Sequence, residues 1–211
     1  MTKVIDSLNW RYATKSFDIS KKVSNKDLDE IIEAFRLTAS SFWLEPWKLI
    51  IVENDKIKQE LVENSYWQKQ VWECSHLLVF TRQKNINDDY IDSFLNNTSK
   101  ITWTKRDDLN WYQDVIEWFF SRMDDKGKQT WAEQQVFIAL WNVMNVLAIK
   151  EIDSCAIWWF NSEWYDKILS LDEKGLASVV ILPIGYRSSE DKYSSIPKVR
   201  FSKKDIVEII K

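Results

Sequence analysis

Hydrophobic positions along the chain follow two rhythms. Over residues 128–150, Val136, Phe137, Leu140, Val143, Met144, Leu147 and Ala148 recur at i, i+3, i+4, i+7 spacing, which predicts a long helix at the centre of the core. Three unbroken apolar runs, residues 49–52, 77–80 and 179–184, read as buried strands, the last ending at Gly185. Weaker helical patterns fill the intervals. Residues 4–10 predict a short helix. Ser24 opens another, with Asp27 in the capping-box position and Leu28, Ile31, Ile32 and Phe35 as its apolar stripe. Asp55 reads as the cap of a helix over 56–64, and Asn161 as the cap of one over 162–169. Residues 65–74 are mixed and polar. Residues 87–123 predict two helices with a break near 102–104, residues 152–160 a loop, and residues 205–210 a short apolar strand or helix end. Helices outnumber strands and separate them. The pattern therefore predicts an α+β fold, one central sheet flanked by helices, in a single domain over 1–211.

Between the second helix and the first strand lies Ser40-Ser41-Phe42-Trp43-Leu44-Glu45-Pro46-Trp47. Its hydroxyls and backbone N–H groups can meet a polar ligand. Pro46 cannot continue a helix. Trp43, a bulky ring in a tight Ser-rich loop, is locally inconsistent.

Composition narrows the function. The net charge of −3 gives no general pull toward nucleic acid or an anionic membrane, so any basic site is local. No apolar run approaches the ~18 residues of a membrane span, and the first residues carry no long apolar segment of a signal peptide. A cytoplasmic protein is the expectation. Cys74 and Cys155 stand far apart and read as buried free thiols. With His76 the one histidine, a zinc site lacks ligands, and no metal is expected. The Trp and Gly counts are abnormal. The chain has 13 Trp and 3 Gly, where ordinary usage of ~7% gives roughly 15 Gly.

Two short basic clusters, Arg11 with Lys15 and Lys198 with Arg200, sit in connectors at opposite ends of the chain. Together they can grip a phosphate, Arg as a bidentate fork and Lys as a point charge. The competing reading is solvated surface charge, which is common. Nucleotide-loop and nucleophile-elbow motifs are absent. Ser40 and Ser41 have only His76 as an imidazole base, and its place beside an apolar strand reads as packing. Asp107-Asp108 and Asp124-Asp125 read as solvated helix ends. Sparse acid–base machinery beside phosphate-gripping loops fits a protein whose cofactor carries the chemistry.

These pieces, in order, resemble the FMN-dependent nitroreductase family over nearly the whole chain. Arg11-Tyr12-Ala13-Thr14-Lys15-Ser16-Phe17-Asp18 is similar to its N-terminal flavin motif, and Ala39-Ser40-Ser41-Phe42 with Pro46-Trp47 to its Ser-rich loop. Residues 73–80 look like its second strand, residues 152–155 lead into the loop before Phe160, residues 171–176 lead into the last core strand, and Pro197-Lys198-Val199-Arg200 closes the match. The resemblance implies a mostly antiparallel sheet, a long core helix and a C-terminal tail that reaches the partner of a homodimer, with FMN at the interface. It implies reduction of a nitroaromatic, quinone or similar small acceptor by NADH or NADPH in ping-pong hydride transfer. By position, Arg11, Lys198 and Arg200 would hold the flavin phosphate, and Lys15 would sit near the pyrimidine edge. Tyr12, Ala13, Ser40, Ser41, Gln68 and Gln70 would line the site, and Trp158 and Trp159 would face the reactive ring nitrogen. Alternatives are a flavin-binding dimer without turnover, or a relative devoted to ene reduction or dehalogenation.

In similar family sequences, positions 43, 141, 158 and 159 are commonly Gly or another small or polar residue. Here all four are Trp. GGA and UGA differ by one base, so the excess of Trp and the deficit of Gly point to UGA codons that the source organism reads as Gly. The competing explanation is a protein that is Trp-rich in fact.

Overall fold

The computed structural model describes residues 2–211. In chain order the elements are α1 (Lys3–Trp10), α2 (Asn25–Arg36), β1 (Trp47–Val52), α3 (Asp55–Glu63), α4 (Gln70–Glu73), β2 (His76–Gln83), α5 (Asp88–Thr102), α6 (Asn110–Ser121), α7 (Asp125–Ile149), β3 (Asp153–Ser154), α8 (Ser162–Ile168), β4 (Leu176–Gly185) and α9 (Lys203–Ile206). The four strands form one antiparallel sheet in the order β1-β2-β4-β3.

Strand alternation builds two cores from one sheet. Leu78 and Phe80 of β2, with Val180, Leu182 and Ile184 of β4, face α2 and α7 through Leu28, Ile31, Val136, Ala139, Val143 and Leu147. Leu77, Val79 and Ile181 point the other way, onto Leu61 and Val62 of α3 and Tyr165 of α8. Both faces of β2 and β4 are therefore covered, which is why their sequences read as unbroken apolar runs. A third cluster joins α5, α6 and the first turns of α7 through Ile91, Leu95, Ile116, Phe120 and Trp131.

Several expectations need correction. β1 is an edge strand with half-buried residues in its middle, so its run is not a fully buried strand. Asn54, not Asp55, caps α3: its Oδ1 accepts from the N–H of Lys56 and Ile57 at 3.0 and 3.2 Å. Asp55 instead meets the wholly buried Lys58 Nζ at 2.9 Å. Residues 152–160 contain β3, a two-residue strand that pairs with the end of β4, and β4 is the fourth strand rather than the third. On α2, Ile32 is exposed and falls outside the buried stripe. Trp141 and Phe137 lie on an exposed face of α7.

Gly185 positions the N-terminal connector. A Cβ there would meet Phe17 Cδ1 at 3.1 Å and the Ser75 nitrogen at 3.2 Å. Without one, residues 13–18 lie against the sheet end: Ala13 bridges Ser154, Phe17 bridges Arg187, and Asp18 N–H donates to Tyr186 O at 2.8 Å. This close approach brings the first basic cluster onto the ends of β3 and β4.

Candidate functional site

Arg11 is the residue after α1, where its N–H closes the helix onto Ser7 O at 3.0 Å. Its Nε is buried with no hydrogen-bond partner. Burial, and then the charge of Arg200, lower its pKa. Lys198 arrives from the other end of the chain and donates through Nζ to the Arg11 carbonyl. Burial lowers its pKa too, helped by Arg11, Arg200 and Arg187. Arg200 donates to Val199 O at 2.6 Å. Arg11, Lys198 and Arg200 thus converge as a cationic cluster. Among the described residues, none of them, nor Lys15, forms an ion pair with a carboxylate. A buried donor without a partner beside mutually repelling cations has the chemistry to accept an anion's oxygens.

Arg187 is the fourth cation, and sequence reasoning missed it. Its Nε reaches both carboxylate oxygens of Asp153 at 2.9 and 3.0 Å, and Nη2 lies 2.6 Å from Oδ1. Its guanidinium sits 4.3 Å from the Trp10 ring centre and 4.6 Å from that of Tyr12. Paired with Asp153 and stacked on two rings, it shapes the wall and is the one cation of the four with a carboxylate partner.

Asp191, also missed, fixes the connector. The Lys15 N–H donates to its Oδ2 at 2.7 Å, the Ser16 N–H at 3.2 Å and the Tyr12 hydroxyl at 3.0 Å. Burial pushes the Asp191 carboxyl up, but these donors and the Tyr193 N–H outweigh it and hold the group below its ordinary value. Tyr12 is raised to about 12, first by burial and then by this bond. The connector is thereby held so that Lys15 Nζ points to Cys155 Sγ, 3.6 Å away. Gln70 is buried. Burial raises the Cys155 thiol while Lys15 opposes it, so the sulfur stays protonated and inert. Cys74 is buried and free as well.

The other expected residues lie on separate loops. Gln68 Nε2 donates to the Trp159 carbonyl at 2.9 Å, joining two loops. Trp158 is 74% exposed. Trp159 is exposed and stacks on Tyr66 at 5.0 Å. Ala13 is exposed beside β3. In the Ser-rich loop, Ser40 Oγ accepts from Glu45 N–H at 2.9 Å, and the Ser41 N–H donates to Gln135 Oε1 on α7 at 2.9 Å. Neither serine has an imidazole beside it: His76 is bonded to Ser75 Oγ at 2.9 Å and faces Glu53. α7 is the wall common to both halves. Gln135 holds the Ser loop, and Trp141 lies 5.5 Å from the Arg11 guanidinium, six residues or about 9 Å further along the helix.

The cluster is not enclosed by this chain. A concavity of about 590 Å³ runs between the end of β2 and α5, α6 and α7, lined by Lys84, Asn87, Glu117 and Lys128, away from Arg11 and Lys15. No helix of the described residues is long and apolar enough to cross a membrane.

The fold is thus an antiparallel sheet flanked by helices, with cations that lack carboxylate partners gathered at one end, beside α7. The sequence model of the nitroreductase family matches residues 8–186, and the chain belongs to that family. It is 34% identical to a candidate NAD(P)H nitroreductase of Staphylococcus epidermidis, over 98% of this chain and 96% of that protein. It is 32% identical to the major NAD(P)H-flavin oxidoreductase of Aliivibrio fischeri, over 98% of each. Among solved structures, a nitroreductase candidate from Exiguobacterium sibiricum in complex with FMN superposes with a TM-score of 0.83 at 17% identity, over 100% of this chain and 98% of that one. The expected α+β fold is the observed one.

Proposed function

We propose that the chain is an FMN-dependent oxidoreductase that uses NADH or NADPH to reduce nitroaromatics, quinones or similar acceptors. The observation that carries this reading is the anion-deficient cluster: Arg11, Lys198 and Arg200 converge without a carboxylate, and Arg11 Nε is buried and unpaired. A phosphate supplies the missing acceptors, and bidentate Arg geometry suits it. FMN, when bound, supplies two-electron chemistry between a nicotinamide and an acceptor. The chain's own residues bind and orient. Arg11, Lys198 and Arg200 would hold the phosphate. Lys15, kept in place by the Asp191 carboxylate through its backbone N–H, would supply positive charge to the flavin's pyrimidine edge, which favours the anionic reduced ring. Gln68 and Gln70, Tyr12, Ala13, Ser40 and Ser41 would line the walls, together with the loop at Trp158 and Trp159 that Gln68 bonds.

The working form is a homodimer. Phe137, Ile138 and Trp141 on α7 are exposed, as are Val199, Phe201, Val207, Ile209 and Ile210 on the tail. Such apolar surface marks an interface, and a second copy supplies the lid that one chain lacks. The α7 helix joins all the apolar clusters except the one beneath α3 and α8, which supports one domain over 1–211. A cytoplasmic location fits the two free thiols.

Flavin titration followed by fluorescence quenching, then NAD(P)H oxidation with a nitroaromatic or quinone acceptor, tests the reading. Saturable FMN uptake with acceptor-dependent oxidation is the expected result. Absence of uptake both by the chain as written and by a version with Gly at 158 and 159 would overturn it.

A further inference from the structure

Burial and backbone conformation separate the tryptophans into two groups. Trp47 packs against Phe35 with ring centres 5.8 Å apart, and Trp131 stands edge-on to Phe120 at 4.9 Å. Both are buried. Ten of the thirteen tryptophans are instead exposed to solvent. Indole carries the largest apolar payload of any side chain and is highly buried on average, so an exposed majority needs a cause.

The backbone supplies an independent observation. Among the described residues, eight that are not glycine have φ between 46° and 61°, against one glycine. That region is sterically open to Gly and tolerated by Asn and Asp, yet none of the eight is Asn or Asp. Three of them are Trp43, Trp67 and Trp103, at φ 54°, 58° and 61°. Tryptophan is 13 of 211 residues, so chance puts fewer than one there. Trp103 is the plainest case. It follows the last residue of α5, adopts the left-handed conformation and is 90% exposed. That is the place and shape of a helix-terminating glycine. Gly175 does the same after the 3-10 turn Asp172–Lys174, at φ 67°.

We propose that the natural residue at 43, 67 and 103 is glycine, encoded by UGA codons that the source organism decodes as glycine, while Trp47 and Trp131 are true tryptophan. The inference stands on φ and exposure and is independent of the flavin reading. One consequence does rest on that reading. Trp141, Trp158 and Trp159 belong to the same exposed set. The Trp141 ring lies 5.5 Å from the Arg11 guanidinium, a cation–π contact that competes with an incoming phosphate. Glycine at 141 frees Arg11, and glycine at 158 and 159 clears two indoles from the loop that Gln68 holds.

The coding sequence gives the first test: UGA at 43, 67 and 103, and UGG at 47 and 131. Peptide mass spectrometry of the protein from its native source gives the decisive one. Glycine at 43, 67 and 103 is expected; a native peptide carrying Trp103 overturns the proposal. On recombinant protein, Trp103→Gly is expected to raise the melting temperature by roughly 2–4 °C, whereas Trp118→Gly within α6 lowers it because glycine weakens a helix interior. A fall for Trp103→Gly counts against the backbone argument. Finally, FMN titration by fluorescence is expected to show the Trp141→Gly, Trp158→Gly, Trp159→Gly variant binding at least about tenfold tighter, roughly 1.4 kcal/mol. If the native peptides carry glycine and affinity does not change, the flavin-site reading falls and the decoding stands.

Discussion

Asp191 shows what a single residue does here. It is buried and takes the backbone N–H groups of Lys15 and Ser16 and the Tyr12 hydroxyl. Asp191→Asn keeps the shape and removes the charge. Because burial is the larger cause of the raised Tyr12 pKa and Asp191 the next, the phenol is expected to fall part of the way from about 12 toward 10, read by NMR of ring-labelled tyrosine. An unmoved Tyr12 would show that the carboxylate does not act on it. His76 gives a pH signature. Burial lowers its pKa, opposed by Glu53 and reinforced by Lys58 and Lys22. The folded state therefore keeps the ring neutral where the unfolded chain, at about 6.5, takes up a proton. This contribution to stability is fully present above about pH 7 and is lost as pH falls through 6.5 toward the lower folded value. His76→Gln is expected to flatten the pH dependence of the urea midpoint between about pH 7 and 5; an unchanged slope would refute it. At this scale legibility followed sequence distance. Arg11, Lys198 and Arg200 stood out because local basic pairs are visible in a string. Arg187 and Asp191 did not, because their partners lie 34 and 175 to 179 residues away.

Elements were legible where one physical signal dominated. α7 could be read because its apolar spacing runs unbroken for several turns, and β2 and β4 because burial on both faces leaves continuous apolar runs at 77–80 and 179–184. β3 could not be read: Asp153-Ser154 is polar, two residues long, and paired only through the end of β4. The start of α3 was misjudged for a local reason. Asn54 and Asp55 are both good capping residues, and the choice turned on Lys58, which is wholly buried and draws Asp55 to itself while donating to the Cys74 carbonyl at 2.8 Å. Asn54→Ala is expected to cost about 1 kcal/mol, within the range for a lost cap, measured as a shift of the denaturant midpoint at constant slope. A neutral substitution would return the cap to Asp55.

At the scale of the molecule, the site and the unpartnered surface are one problem. The cationic cluster draws Lys198 and Arg200 from a segment whose own residues are almost all exposed, and the neighbouring face of α7 presents Phe137, Ile138 and Trp141 to solvent. A tail with no core of its own is held in place by what it lies against. In one chain that is the Lys198 bond to the Arg11 carbonyl and little else. A second copy covering the α7 face would order the tail, close the half-open site and remove the apolar surface from water together. In the proposed homodimer, dimerisation and flavin binding would therefore be coupled, each stabilising the other through the same residues. Phe137→Glu with Ile138→Glu puts two charges on that face without touching Arg11, Lys198 or Arg200, and both positions are exposed, so the single chain is expected to keep its helical circular dichroism. Sedimentation should then report a monomer, and FMN affinity should fall by at least about tenfold, roughly 1.4 kcal/mol. A double variant that remains dimeric would move the interface elsewhere. A monomer that binds FMN as tightly as the parent would show that the cationic cluster is complete within one chain.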